Sequence, residues 1–385
     1  MGLTGVLARQ GFSGWTARFA VQIQAAVNLS ERRGFSELAP MERAAAAHRE
    51  MVGYLARLAA APDGCAFEIR WRLGAGGPRL FVLGRAGGAT QDQATAVATD
   101  ARALAMELPP QAIGEALTSA DDVEAAFRLF PVHRDGIAEI RRPYHFGTPQ
   151  RIDAGVRYYV AVTPFASGPL GWPELIAGLS STRQELAISI GLVPTVAPFG
   201  LDAALGEIAA RYEHLAQPTV LRAGALYSGR TELAPDPFAV WASGVFRAAQ
   251  QRCRGPLLRT RISVASARPL DPGQVSWVAR LVDGQAAYPR TEVERAIAVE
   301  ALDALAVPTW GTPELPVPEQ VRLLTELADP AQAAAVAWLP VAAAGPFGWF
   351  PTVDPRPGDR PSKGDLNVYG TVHGDVAQQK NEFRS

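Results

Sequence analysis

One ending occurs twice in this chain, and that repetition limits the architectures it can adopt. Val123-Glu124-Ala125-Ala126-Phe127-Arg128-Leu129-Phe130-Pro131 leads through His133 to Asp135-Gly136-Ile137. Far downstream, Ala334-Ala335-Val336-Ala337-Trp338-Leu339-Pro340-Val341 leads to Gly345-Pro346-Phe347-Gly348. Each ending follows an acidic step, Asp121-Asp122 or Asp329-Pro330, and an Ala/Leu-rich stretch. The pattern predicts one α+β unit used twice, with Phe127 and Trp338 buried equivalently.

Periodicity fills in the units. Phe12, Trp15, Phe19 and Ile23 recur at near-helical spacing, and Pro40 can open a helix because its missing N–H is not needed there. Residues 1–59 therefore read as a helical segment. Phe67, Ile69 and Trp71 alternate with Glu68, Arg70 and Arg72, Gly74 to Pro78 turns, and Leu80 to Leu83 returns as a hairpin. Ala94, Val97, Ala98, Ala101, Leu104, Ala105 and Leu108 form one helical stripe. Tyr158–Val162 and Leu186–Ile190 read as strands, and Trp172–Leu179 and Leu201–Ala216 as helices. Helix Phe238–Arg252, strand Leu257–Val264, and helices Gln274–Leu281, Glu292–Leu305 and Pro318–Leu327 follow. The expected division is 1–59, a first module at 60–216, a linker at 217–237, a second module at 238–353, and a flexible tail at 354–385. Both modules are expected to be of ferredoxin-like or βαβ type.

The chain is 48% hydrophobic and 19% charged, ample for real cores, and its net charge is −1. Of its 37 cations only Lys363 and Lys380 are lysine. The first 362 residues therefore hold neither a P-loop lysine nor a Schiff-base lysine. Cys65 and Cys253 form no disulfide or metal spacing and fit a reducing, cytoplasmic setting. No apolar run reaches the ~18 residues of a membrane span, and Met1 to Val6 lacks the pattern of a signal peptide. His48, His133, His145, His214 and His373 have no partner at metal-ligand spacing, and no nucleophile elbow occurs. Asp121, Asp122 and Glu124 precede a helix, where carboxylates cap free N–H groups. No cofactor, metal or catalytic residue is expected.

Two features suggest partners. Arg247, Arg252, Arg254, Arg259, Arg261 and Arg268 lie in a stretch without acids between Asp236 and Asp271. Arg259 and Arg261 alternate on a strand and face one side, which would suit phosphates, although a face paired with distant acids is the plainer reading. In the tail, Leu366, Val368, Tyr369, Thr371, Val372 and Val376 mark a short strand after Pro355, Pro357 and Pro361. Such a strand gains hydrogen bonds by adding to a partner's sheet edge.

The order of features resembles the regions that precede the motor in bacterial HerA/FtsK-type ATP-binding proteins. The residues carrying the resemblance are Phe67 to Trp71, Tyr158 to Tyr212, Leu258 to Ile262 and the Glu124 to Leu129 ending, where Phe130 intervenes before Pro131. Ala334 to Pro340 matches loosely. In that family a P-loop domain follows the last ending, whereas this sequence has no Walker motif there, so the motor activity does not carry over. The tail resembles short strands of bacterial conflict (anti-phage) proteins. The resemblance implies a non-enzymatic accessory subunit acting with a separate ATPase or effector; a nucleic-acid-binding module using the arginine stripe is the alternative.

Overall fold

The computed structural model describes residues 5–11, 14–165, 171–222, 230–307, 310, 313 and 315–356. The chain opens on a hairpin, β1 (Leu7–Gly11) and β2 (Gly14–Val27), followed by α1 (Pro40–Ala59). A second hairpin, β3 (Cys65–Leu73) and β4 (Arg79–Gly88), leads into α2 (Gln91–Met106), β5 (Ala112–Ala116) and α3 (Ala120–Phe127). Next come β6 (Ile137–Arg141), β7 (Tyr144–Gly147), β8 (Tyr159–Val162), α4 (Trp172–Ser181), β9 (Leu186–Thr195) and α5 (Leu201–Leu215). The pair β10 (Thr219–Arg222) and β11 (Arg230–Leu233) precedes α6 (Pro237–Arg252), β12 (Leu257–Ser266), α7 (Pro272–Leu281), β13 (Gln285–Ala287) and α8 (Glu292–Ala304). The last elements are α9 (Glu319–Leu323), β14 (Leu327–Ala328), α10 (Pro330–Val336) and β15 (Thr352–Val353).

The fold is α+β, built on one 11-stranded sheet with the order β1-β2-β4-β3-β9-β12-β6-β13. β5 and β15 add to β2, and β14 adds to β12. Every strand pairing is antiparallel except β15 with β2. This corrects the expectation of two separate modules. β9 from the first segment pairs with β12 from the second along ten residues, and β6 lies between β12 and β13. The segment 217–237 does not divide the sheet.

The N-terminal helical expectation also fails, for a physical reason. Trp15, Phe19 and Ile23 are spaced by four, which is a multiple of the strand period as well as close to one helical turn. In β2 the intervening Ala17 and Val21 are buried on that face too, and these side chains complete a period of two. Pro194 lies within β9, where the residues beyond Leu192 pair with β12 alone, so its missing N–H breaks no ladder on the β3 side.

The sheet is covered on both faces. Phe67, Ile69 and Trp71 of β3 join Phe19, Val82, Ile190 and Ile262 in the main core, against α1, α2, α4, α7 and α10. Ala94, Ala98, Ala101 and Ala105 give α2 a small-residue face that lets it approach the strands. The alternate residues of the same strands face α3 and α8. Phe127 packs there with Ala20, Ala66 and Phe81. Trp338 sits in the main core instead, its ring 5.5 Å from that of Trp71 and 6.3 Å from that of Trp172. The two endings therefore contact opposite faces of one sheet, and their large rings are not equivalent. A further apolar cluster, from α5, α6, β7, β8 and α9, holds residues from both sides of 217–237.

Candidate functional site

The second face of the sheet carries charge in its interior. Glu68 and Arg70 alternate with core residues on β3, and both are fully buried. The strand register places Gly191 beside Glu68, Arg261 beside Gly191, and Ser189 beside Arg70. Arg70 Nε donates to Glu68 Oε1 at 2.5 Å, and Arg261 pairs with the other Glu68 oxygen. One carboxylate thus serves two guanidiniums. Arg70 also donates to the carbonyls of Phe127 and Leu302, both at 2.8 Å. These carbonyls belong to the last turns of α3 and α8, which lack intrahelical partners and favour cations. On the far side, Glu139 accepts from Trp310 Nε1 at 2.9 Å and from Arg141, whose guanidinium lies 4.2 Å from the Trp310 ring centre. This layer positions α3 and α8. Glu68, Arg70, Arg261, Glu139 and Trp310 are buried and Arg141 half-buried, which suits a structural role.

Beside the layer the same face opens into a groove of about 560 Å³. Phe81, Leu117, Leu129, Phe130 and Pro131 supply apolar walls, and Arg72, Arg79 and Arg128 supply cations. Asp122 and Glu185 are the acids of the lining. Asp122 is engaged, since Ser119 Oγ donates to its carboxylate at 2.6 Å. Arg72 Nη1 donates to the Ala125 carbonyl at 2.8 Å, so it also holds the end of α3. Burial, with Arg79 and Arg70 nearby, draws the Arg72 guanidinium down from its ordinary value. Arg79 and Arg128 are exposed, on the outgoing strand and just past α3. Sequence reading placed Glu68, Arg70 and Arg72 on the strand side opposite Phe67, Ile69 and Trp71. Ala66 on that same side, and the length of the hairpin, were the available signs that a second layer covers it.

The arginine stripe is dispersed among acids. Arg247 binds Glu213 through Nη2 at 2.6 Å, Arg254 binds Asp202 at 2.9 Å, and Arg259 binds Glu326 at 2.7 Å. Arg252 Nε lies 3.7 Å from Asp329, and Arg261 is buried on Glu68. Arg268 is exposed just beyond β12. Arg259 and Arg261 do share a side, as their spacing requires, but Arg261 is buried there and Arg259 is half-buried against Glu326. The pairing acids, Glu213, Asp202, Glu326, Asp329 and Glu68, come from distant segments.

The acids expected to cap α3 lie inside it instead: the cap is Ser119, whose Oγ accepts from Asp122 N at 3.0 Å, while Asp121 and Asp122 sit in the first turn and Glu124 pairs with Arg9 and Arg128. The hydrogen bond from Arg9 holds the Glu124 carboxyl below its usual range. Cys65 and Cys253 are buried thiols, and burial pushes Cys65 up to about 11. Among the described residues no group of three His, Cys, Asp or Glu side chains could hold a metal ion. No helix among them is long and apolar enough to cross a membrane. The tail positions Leu366, Val368, Tyr369, Val372 and Val376 lie outside the described residues. No protein-family model matches the chain, and no curated protein matches it.

Proposed function

We propose that this chain is a non-catalytic accessory subunit, and that its groove beside α3 holds an apolar, carboxylate-bearing segment of a protein partner. The groove itself carries this reading. Its lining combines exposed arginines with aromatic and aliphatic walls, the composition enriched at the centres of protein interfaces. The lining holds three guanidiniums against two carboxylates, and Arg128 shares its partner Glu124 with Arg9, so an acidic guest offsets a local excess of positive charge. The resemblance to pre-motor regions supports a bacterial partner that is a separate ATPase or a conflict-system effector. The tail strand is proposed as a second contact, by β-augmentation.

The experiment is a charge swap. The partner segment is located by crosslinking from position 79 and mapped. Binding should be abolished by Arg79→Glu with Arg128→Glu, and restored when the mapped carboxylates are changed to lysine. Deleting residues 357–385 should weaken the same complex while leaving the melting temperature of the body nearly unchanged. Binding indifferent to both charge reversals sinks the groove assignment. The nucleic-acid alternative predicts steeply salt-dependent binding that Arg247, Arg254 and Arg268 substitutions weaken. The ion pairs made by the first two speak against it.

A further inference from the structure

Arg142 follows the last residue of β6 and precedes Pro143. It is 4% exposed, and its guanidinium lies 4.7 Å from the Phe165 ring centre. Nη1 donates to the carbonyls of Leu324 at 2.8 Å and Leu327 at 2.6 Å. Nε and Nη2 are buried and find no acceptor among the described residues. Backbone carbonyls satisfy hydrogens but carry no net charge, so among the described residues this cation has no counter-charge of its own.

The neighbours do not supply one. Asp329 is a carboxylate that acts on it, but Asp329 Oδ1 caps α10 by accepting from Gln332 N at 2.8 Å, and Oδ2 faces Arg252 at 3.7 Å. Cys253 could contribute only as a thiolate, and burial pushes its thiol up, which keeps it neutral. The local sum is two guanidiniums against one carboxylate. A cavity of about 20 Å³ is bordered by Arg142, Arg252, Cys253, Leu257, Leu327 and Asp329. That space admits a small guest at least the size of one water, beside two guanidiniums. Water would satisfy a donor but leave the charge, and an uncompensated buried charge is costly.

We propose that this cavity is a binding site for one halide-sized anion, which neutralises Arg142 and ties the end of β6 to the β14–α10 junction. Burial, with Arg252 nearby, draws the guanidinium down to about 9, and a bound anion opposes that effect.

The test uses the full chain. Thermal unfolding is followed in sodium chloride and in sodium gluconate, whose anion cannot enter, at equal ionic strength. The midpoint should rise with chloride, by roughly 2 °C for each tenfold increase above the dissociation constant. Arg142→Met, similar in length and uncharged, should remove the difference between the two salts. Crystals of the unaltered protein soaked in sodium bromide should show an anomalous peak beside Arg142, which keeps the test decisive if the variant does not fold. Equal midpoints in both salts, a chloride effect that survives Arg142→Met, or a cavity without bromide would each overturn the proposal.

Discussion

Glu68→Gln is the substitution on which the account of the sheet depends most. It preserves shape and removes one charge from a site where a single carboxylate holds Arg70 and Arg261, with Glu68 and Arg70 fully buried. Breaking a buried ion pair from one side costs about 3–5 kcal/mol, because the remaining charge is left without compensation. Here the remainder is two guanidiniums facing one another. Arg261→Met acts on the same cluster with the opposite balance. Glu68 keeps Arg70, and two poorly satisfied nitrogens of Arg261, Nε and Nη1, disappear. Its cost should be about 1 kcal/mol or less. Thermal and urea unfolding followed by tryptophan fluorescence measure both variants. Glu68→Gln should lower the thermal midpoint by roughly 5 °C and Arg261→Met by much less. Equal costs, or a Glu68→Gln protein as stable as the parent, would refute the claim that this carboxylate is the keystone of the layer.

Trp338→Ala should cost about 3–5 kcal/mol in the same unfolding assay, since the ring stacks between Trp71 and Trp172 and its loss opens a cavity. Gly84→Ala should cost about 1–3 kcal/mol or more, because a Cβ there runs into the Phe19 ring, and Phe19→Leu in the same chain should recover part of it. On the acid side, the Arg151 hydrogen bonds hold the Asp153 carboxyl below its ordinary 3.8, and Arg254 does the same for Asp202. A depressed carboxylate stabilises the fold above its unfolded value, and that contribution is lost as pH falls through the lower folded value. Stability should therefore decline below about pH 4, and Asp153→Asn should flatten that decline in a pH series of melting curves.

The helices were legible because their signals are local. Pro40 opens α1, Thr90 caps α2 by accepting from Gln93 N at 3.2 Å, and Asp236 caps α6. The β3–β4 hairpin was equally clear from its alternation and its Gly-rich turn. The pairing of β9 with β12 was not, because nothing local specifies which distant strand fills an edge. The short strands β5, β6 and β7 escaped notice for the same reason, being held by neighbours more than by their own pattern. The groove was half legible: Arg72 and Arg79 flank a turn that the sequence shows, while the covering by α3 depends on Arg70 reaching two helix ends. The arginine stripe was legible as charge but not as structure, since Glu213, Asp202 and Glu326 approach it only in the folded chain. The repeated ending was a true similarity of sequence that the fold uses on two different faces.

The most direct measurement of the central claim is the affinity of the mapped partner segment for the unaltered chain, for Arg79→Glu with Arg128→Glu, and for that variant against the lysine-swapped segment. The account predicts tight binding, loss of at least about tenfold, corresponding to 1.4 kcal/mol, and recovery on the swap. Undiminished binding by the charge-reversed chain, or loss that the swapped segment does not repair, would contradict it.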